Sequence, residues 1–237
     1  MTKGSYKQFC PVAMASEIIC TRWTAVLVRE LLMGSTRFNE LRRGVPRMSP
    51  ALLSKRLKDL EEAGIVYRTP VENEPDVEQY ILTQAGKDLY PIVESLGIWG
   101  ARWVETEPTL ENLDPTLLMW DMRRNMIPDP KPNRRSIIQF IYSDLPKPTK
   151  NWWLIIDPTN DKIDLCSVEP GFDVDLFVST DLRTMTKIWM GLETFSNAYN
   201  EEDILLTGNS DLEEKVRLWL SPGKGLSPFA GVEKLVR

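Results

Sequence analysis

The chain has 237 residues, of which 42% are hydrophobic and 27% are charged, and its formal net charge is −5. This composition is typical of an ordinary soluble protein, with enough residues for one large domain or two modest ones. The chain has no histidine, which excludes His-dependent triads, histidine metal sites and imidazole general bases. Cys10, Cys20 and Cys166 lack the C-x-x-C spacing of structural zinc sites. We therefore expect no metal and no cofactor. No nucleophile–base pair or phosphate-binding glycine loop is found in the sequence either, so we expect no enzyme activity.

The distribution of charge and apolar residues predicts location and domain organisation. No run approaches 18 apolar residues, and the first residues (MTKGSYKQF) lack the apolar segment of a signal peptide, so we expect a cytoplasmic protein that spans no membrane. Residues 1–107 have a net charge of zero and residues 108–237 a net charge of −5. We predict two domains with this boundary. The acidic second domain is expected to lie away from nucleic acid.

Two helices are predicted before residue 45. Residues 11–33 have helical periodicity with a break near Cys20–Thr21, and Trp23 is expected to pack in the core. A shorter helix is expected to begin after Thr36 as N-cap and to end at Gly44.

The next helix has well-defined ends and two distinct faces. Ser49 is a good N-cap, Pro50 suits the first helical position, and Gly64 ends the helix near Ala63. Its apolar stripe consists of Leu53, Leu57 and Leu60. At about 100° per residue, small and charged residues point the opposite way. These are Ala51, Ser54, Lys55, Lys58 and Glu62.

The segment from Arg37 to Lys58 is strongly basic. It contains seven basic residues and one acid, Glu40, a net charge of +6 within 22 positions. A positive patch on an acidic chain indicates an anionic partner, and a helix pair joined by a short turn fits the DNA major groove. The alternative is a solvated basic face without a partner. The predicted DNA-binding residues are Arg37, Arg42, Arg43, Arg47, Ser49, Ala51, Ser54, Lys55, Lys58 and Arg68.

A β-hairpin and a long helix follow. Strands at 65–70 and 77–82 flank an acidic turn at 71–76, where four acids disfavour close phosphate contact, although Arg68 at the base of the hairpin is a plausible contact. A helix is expected from about Gln84 to Glu107, kinked or split near Pro91. One of its faces carries large apolar residues, and we predict a dimer interface there. These residues are Leu96, Trp99 and Trp103.

Three blocks together resemble the HxlR-type winged helix-turn-helix transcriptional regulators. They are CPVA (Cys10–Ala13), the block from Arg22 to Val66, and VEQYILTQAG (Val77–Gly86). The resemblance covers about residues 8–105. It implies a homodimer with one recognition helix per subunit and a β-hairpin wing, and hence double-stranded DNA with a palindromic operator as partner. It also places Cys10 where some relatives carry a redox-responsive cysteine, the alternative being a small, partly buried residue.

The second half reads as an α+β domain. After a linker at 107–115, a helix is expected at 116–126, capped by Asp114, and residues 127–135 are proline-rich and irregular. Four β-runs follow, then a helix bent at Gly191, a short strand and a last helix with a capping box of Ser210 and Glu213. The β-runs lie at 136–143, 151–157, 162–168 and 173–180, the bent helix at 182–199 and the short strand at 204–208.

Residues 173–220 resemble the sterol-carrier-protein-like fold, which implies an apolar tunnel for a fatty or sterol-like molecule. The candidate ligand-binding residues are Trp152, Trp153, Phe177, Trp189, Phe195 and Trp219. A well-filled core without a ligand is the alternative.

The sequence therefore predicts an α+β protein with an N-terminal winged helix-turn-helix domain and a C-terminal sterol-carrier-like domain. The function it favours is a homodimeric, sequence-specific DNA-binding transcriptional regulator controlled by a hydrophobic small molecule. The alternatives are a lipid-binding or lipid-transfer protein and a regulator whose second domain is only structural.

Overall fold

The computed structural model describes residues 5–72, 74–104, 112–159, 163–221, 229 and 232. The chain divides into two compact units, Met1–Gly97 and Ile98–Arg237. Each unit has its own hydrophobic core.

The first unit contains helices and one β-hairpin. In chain order, the elements are α1 (Pro11–Ile19), α2 (Thr24–Leu32), α3 (Phe38–Gly44), α4 (Pro50–Glu62), β1 (Val66–Val71), β2 (Glu74–Leu82), α5 (Gln84–Lys87) and α6 (Tyr90–Trp103), which continues into the second unit. The predicted break between α1 and α2 is confirmed, and Trp23 adopts a φ of 78° there. Within the described residues, no single helix is long and apolar enough to cross a membrane; α1 and α2 meet that test only together, and an 81° bend separates them.

The first turn of α3 differs from the prediction. Its N-cap is Arg37 and not Thr36. Thr36 is instead bonded to β2 of the hairpin, because its carbonyl oxygen accepts a hydrogen bond from the N–H of Tyr80 (2.8 Å). The Glu40 carboxylate accepts from the backbone N–H groups of both Thr36 (3.0 Å) and Arg37 (3.1 Å), which satisfies donors that the helix leaves without partners.

A buried carboxylate joins α2 to α3. Glu30 is fully buried and accepts hydrogen bonds from Arg29 and from the Ser35 hydroxyl (3.5 Å). Arg29 also donates to the carbonyl oxygen of Gly44 (3.4 Å). A Cβ atom at Gly44 would lie 1.8 Å from Glu30 Oε2, so the close approach of the two helices requires glycine at this position.

The turn of the hairpin is shorter than predicted, and the pairing of its two strands is irregular in register. Strand β2 begins at Glu74, three residues before the predicted Val77. Pro70 pairs with Glu78, but the next residue, Val71, pairs with Glu74, so the three intervening residues of β2 bulge out of the ladder. The bulge moves the acidic end of β2 out of the regular ladder.

The predicted helix from Gln84 to Glu107 is two helices, α5 and α6. The division falls just before Pro91, which lies in the first turn of α6, where its missing N–H costs no hydrogen bond. The last predicted residues, 105–107, lie outside the described part of the chain.

The second unit is a mixed sheet with helices, which confirms the α+β class. Its elements are α7 (Pro115–Asn125), β3 (Ser136–Tyr142), α8 (Lys147–Lys150), β4 (Asn151–Ile156), β5 (Asp164–Cys166), β6 (Leu176–Thr180), α9 (Leu182–Trp189), α10 (Phe195–Asn200), β7 (Ile204–Gly208) and α11 (Ser210–Trp219). The strand order is β5-β4-β3-β6-β7. Only β3 and β6, among these pairs, run parallel. The predicted cap at Asp114 is confirmed by hydrogen bonds from Thr116 (2.9 Å) and Leu117 (3.2 Å).

Two details of the second unit differ from the prediction. The helix predicted at 182–199 divides into α9 and α10, with Gly191 at a φ of 70° between them. The cap of α11 is Asn209, whose side chain accepts from the N–H of Leu212 (3.0 Å), so the predicted Ser210 capping box is wrong. Glu213 instead accepts from Arg217 and from the Tyr199 hydroxyl (3.4 Å).

The four helices α7, α9, α10 and α11 share one core with one face of the sheet. In β3, for example, Ile138, Phe140 and Tyr142 belong to that core. Ile137 points to the opposite face, where it packs with Trp153 and Ile155. The period-2 alternation of strand side chains therefore places the apolar residues of the sheet in two separate clusters.

Replacing Gly44 with Ala tests the junction of α2 and α3. We expect the first unit to lose about 1–3 kcal/mol of stability, because the new methyl group overlaps a buried carboxylate that cannot move into solvent. Gly100→Ala in α6 is the matched control, since its Cβ would meet nothing within 4 Å. Chemical denaturation followed by circular dichroism measures both. Equal stability of the two variants would contradict this packing.

Candidate nucleic-acid interface

Helix α4 is oriented by its apolar stripe. Leu53 and Leu57 are fully buried and Leu60 is 1% exposed, all in the core of the first unit. Ser49 caps the helix, its hydroxyl accepting from the N–H of Leu52 (3.3 Å). The predicted start, stripe and end of this helix are confirmed.

The opposite side of α4 faces solvent. The predicted outward residues Ala51, Ser54, Lys55 and Lys58 are all exposed. Lys58 lies 3.9 Å from Glu62, one helical turn on, which is a weak surface pair. In the part of the chain that the structure describes, Lys55 makes no ion pair. The first two turns therefore present small and cationic groups to solvent.

Three further arginines lie at the end of α3 and in the turn to α4. Arg42 and Arg43 are in the last turn of α3, and Arg47 lies in the connection; all three side chains are exposed. Cations in the last turn also interact favourably with the negative end of the helix dipole. Together with α4 they form what we call the basic face: Arg42, Arg43, Arg47, Ser54, Lys55 and Lys58.

One basic residue of this segment has a structural role. Arg56 is partly buried; its Nε donates to the carbonyl oxygen of Arg22 (3.1 Å) and its Nη1 to Asp59 (2.9 Å). It therefore connects α4 to the junction of α1 and α2. Its position beside the apolar stripe is the sequence feature that distinguishes it from Lys55 and Lys58.

Two arginines that were predicted to contact DNA form ion pairs with glutamates. Arg37 makes a bidentate pair with Glu74 at the start of β2, with distances of 2.6 and 3.3 Å. Arg68 pairs with Glu78 on β2 (2.9 Å) and Glu61 at the end of α4 (3.2 Å). The hydrogen bond and charge of Glu74 raise the pKa of the Arg37 guanidinium, and those of Glu61 do the same for the pKa of Arg68.

A groove of about 680 Å³ lies between the start of α3 and β2. Its lining mixes both charges with apolar and aromatic side chains. The lining residues are Arg37, Phe38, Asn39, Glu40, Arg43, Asp76, Val77, Glu78 and Tyr80. The groove therefore lies between Arg43 of the basic face and the acidic side of the hairpin.

The predicted dimer residues lie on the surface of α6. Leu96 is 52% exposed, Trp99 59% and Trp103 40%. Helix α1 has no buried residue, and Phe9, Val12 and Met14 at its start are more than half exposed. Helices α1 and α6 thus expose large apolar side chains.

The predicted ligand residues do not share one site. Trp152, Trp189, Phe195 and Trp219 lie in the core between helices and sheet. Trp153 belongs to the cluster on the opposite face of the sheet, and Phe177, the neighbour of Gln139 in the adjacent strand, is 36% exposed. A single pocket lined by all six residues is excluded, because strand residues of opposite parity point to opposite faces.

The cysteines form no recognisable site within the described residues. Cys10, Cys20 and Cys166 are free thiols, and Cys20 is exposed. No group of three or more Cys, Asp or Glu side chains there is arranged to hold a metal ion.

Two helices in sequence, the second with a buried stripe and an exposed basic face, followed by a two-stranded hairpin, define a winged helix-turn-helix. We call β1 and β2 the wing from here on. A protein of this class with an exposed cationic second helix is a DNA-binding protein.

The chain belongs to the HxlR-like helix-turn-helix family, whose model matches residues 18–108. It is 38% identical to the uncharacterized HTH-type transcriptional regulator YvaP of Bacillus subtilis, over 41% of this chain and 92% of YvaP. It is 34% identical to the uncharacterized HTH-type transcriptional regulator Mb3122 of Mycobacterium bovis, over 51% of this chain and 85% of Mb3122. A solved structure of the redox regulator HypR in its reduced form is 33% identical, covering 44% of this chain and 99% of HypR, with a TM-score of 0.37. The chain is therefore a transcriptional regulator of the helix-turn-helix type.

Proposed function

We propose that the protein acts as a homodimer on a palindromic operator, with α4 of each subunit in the major groove. The observation that carries this proposal is the buried leucine stripe, because it fixes Ser54, Lys55 and Lys58 outward on a helix of the right length and charge. Lys55 and Lys58 approach base edges. Ser49 and Ala51 are both exposed at the start of α4. We assign them to contacts with the sugar–phosphate backbone of the DNA.

Phosphate contacts are assigned to Arg42, Arg43 and Arg47. Their exposed guanidinium groups flank α4 and can bind phosphate oxygens in a bidentate manner. The sequence also predicted this role for Arg37 and Arg68, whose ion pairs with acids bear on the inference below.

The dimer interface is proposed on α6, with a second copy of the chain covering Leu96, Trp99 and Trp103. Aromatic side chains this exposed are costly to leave in water, and a two-fold partner would bury the same patch on both subunits. In this proposal residues 1–107 bind DNA and dimerise and residues 108–237 form the regulatory domain; this boundary follows the end of α6, whereas the compact units divide within α6, after Gly97.

For the second domain we propose binding of a hydrophobic effector, as the sterol-carrier-like resemblance implies. Two polar groups in its core support this proposal. The indole N–H of Trp219 is buried without a hydrogen-bond partner, and the buried Tyr142 hydroxyl donates to the weak acceptor Met119 Sδ (3.0 Å). Burial also raises the pKa of Tyr142, so its hydroxyl stays protonated at any physiological pH. An apolar molecule with one hydrogen-bond acceptor could pair with either of these donors.

Substitutions on the basic face test DNA binding. Arg42→Ala should weaken binding to all duplexes and reduce the slope of log K against log salt by about one unit. Lys55→Ala should relax the preference at one base position, costing about 1–3 kcal/mol if the contact is bidentate. Fluorescence anisotropy at several salt concentrations measures both effects. Unchanged affinity of the Lys55→Ala/Lys58→Ala variant would overturn the assignment of α4.

Trp99→Glu tests the dimer. We expect monomers or insoluble protein, and loss of tight operator binding, because a charge would be buried in the interface. Val168→Glu is the control, since Val168 is an apolar residue 77% exposed in the second unit. Sedimentation gives the masses. A dimeric Trp99→Glu protein that still binds operator would place the interface elsewhere.

Oleate, as a long-chain fatty acid, tests effector binding. It should quench tryptophan fluorescence and shift operator affinity by about 5–150-fold. Trp219→Phe keeps most of the apolar volume but removes the N–H, and it should weaken oleate binding if that group meets the carboxylate. Fluorescence titration of both proteins provides the measurement. No binding of oleate or of other hydrophobic compounds would leave this domain with a structural role.

A further inference from the structure

The wing carries a charge opposite to that of the basic face. Between Val66 and Leu82 there is one base, Arg68, and four acids. The acids are Glu72, Glu74, Asp76 and Glu78. All four side chains are exposed, so they would meet a DNA backbone as like charges.

The wing acids are also placed against particular arginines. The register break after Pro70 allows Glu74 to pair with Val71 in the ladder, while its carboxylate reaches Arg37, 37 residues earlier in the chain. Backbone hydrogen bonds also fix the Arg37 end of this ion pair against β2. The Thr36 carbonyl accepts from the N–H of Tyr80, and Arg37 forms an isolated β-bridge with Gln79. Arg37 and Glu74 are therefore held together by the sheet and not only by their charges.

A second arginine, at the base of the wing, is also held by acidic side chains. Arg68 lies between Glu78, its near neighbour across the hairpin, and Glu61 on α4. The two guanidinium groups that flank the basic face are thus bound to carboxylates. For either to bind a phosphate, it must first leave its acid.

We propose that the acidic wing restrains DNA binding: Glu74 and Glu78 hold Arg37 and Arg68 away from the DNA backbone, so that duplex DNA is engaged through α3, α4 and the turn between them. This inference rests on the proposed DNA-binding function and deepens it. It makes affinity and salt dependence lower than the charge of the basic segment would give. Sequence preference is unaffected, because the pairs involve no residue assigned to base edges.

A double-mutant cycle on Arg37 and Glu74 tests the restraint. Glu74→Gln should raise affinity for duplex DNA about five- to tenfold at 0.1 M salt and steepen the salt slope by about 0.9, the effect of one added phosphate contact. Arg37→Gln alone should change affinity less than about twofold, since Arg37 is already held. Combined with Glu74→Gln, it should remove the gain. Glu78→Gln should act on Arg68 in the same way.

The Glu72→Gln variant distinguishes the effect of a specific ion pair from the effect of the wing's total negative charge. Glu72 is exposed on the same wing but makes no ion pair within the described residues. Its substitution should change affinity less than about twofold, and an increase equal to that of Glu74→Gln would overturn the specific pairing. A tenfold loss in Arg37→Gln alone, or no gain in Glu74→Gln, would also overturn it. Thermal melting confirms that each variant is folded.

The same titrations distinguish this inference from the proposed function. Binding by the wild-type chain with no gain in Glu74→Gln would overturn the restraint only. Absence of duplex binding by the wild type and by every variant would overturn the DNA-binding function, and the restraint with it.

Discussion

The burial of one leucine stripe on α4 determines what the first unit can bind. Leu53, Leu57 and Leu60 are almost completely removed from solvent, which contributes about 5–9 kcal/mol, as much as the net stability of many domains. The helix therefore cannot rotate without losing most of that stabilisation. Since a helix turns about 100° per residue, the same burial holds Ser54, Lys55 and Lys58 in solvent. The chemistry of the exposed face is thus set by packing on the other side.

Groups of opposite charge lie close together around this fixed helix. The chain is acidic in total, yet Arg43 of the basic face and the acidic wing lie on either side of one groove. Long-range attraction to DNA is weak for such a protein, because the acidic groups offset the basic ones at a distance and salt screens exposed charges beyond about 8 Å at physiological ionic strength. Affinity must then come from close contacts, and in the restraint proposed above the ion pairs of Arg37 and Arg68 lower the number of arginines available for them.

Local features of the chain could be predicted from the sequence, and pairings between distant segments could not. Ser49, Pro50 and Gly64 act within one helix, so its ends follow from their chemistry. The cap at Arg37 and the pair of Arg37 with Glu74 depend on the backbone bonds of Thr36 and Arg37 to β2, and no local pattern contains that information. That the six candidate ligand residues cannot line one pocket could be seen from the sequence: Trp152 and Trp153 are consecutive in β4, so alternation along a strand places them on opposite faces.

Lysine footprinting tests most directly whether the exposed face of α4 meets DNA. The protein is acetylated with and without saturating operator duplex, and modification of each lysine is read by mass spectrometry. We expect DNA to protect Lys55 and Lys58, while Lys87 on α5 and Lys147 in the second unit, both exposed, react equally in the two samples. Unchanged reactivity of Lys55 and Lys58 in a saturated complex would show that DNA binds another surface of the protein.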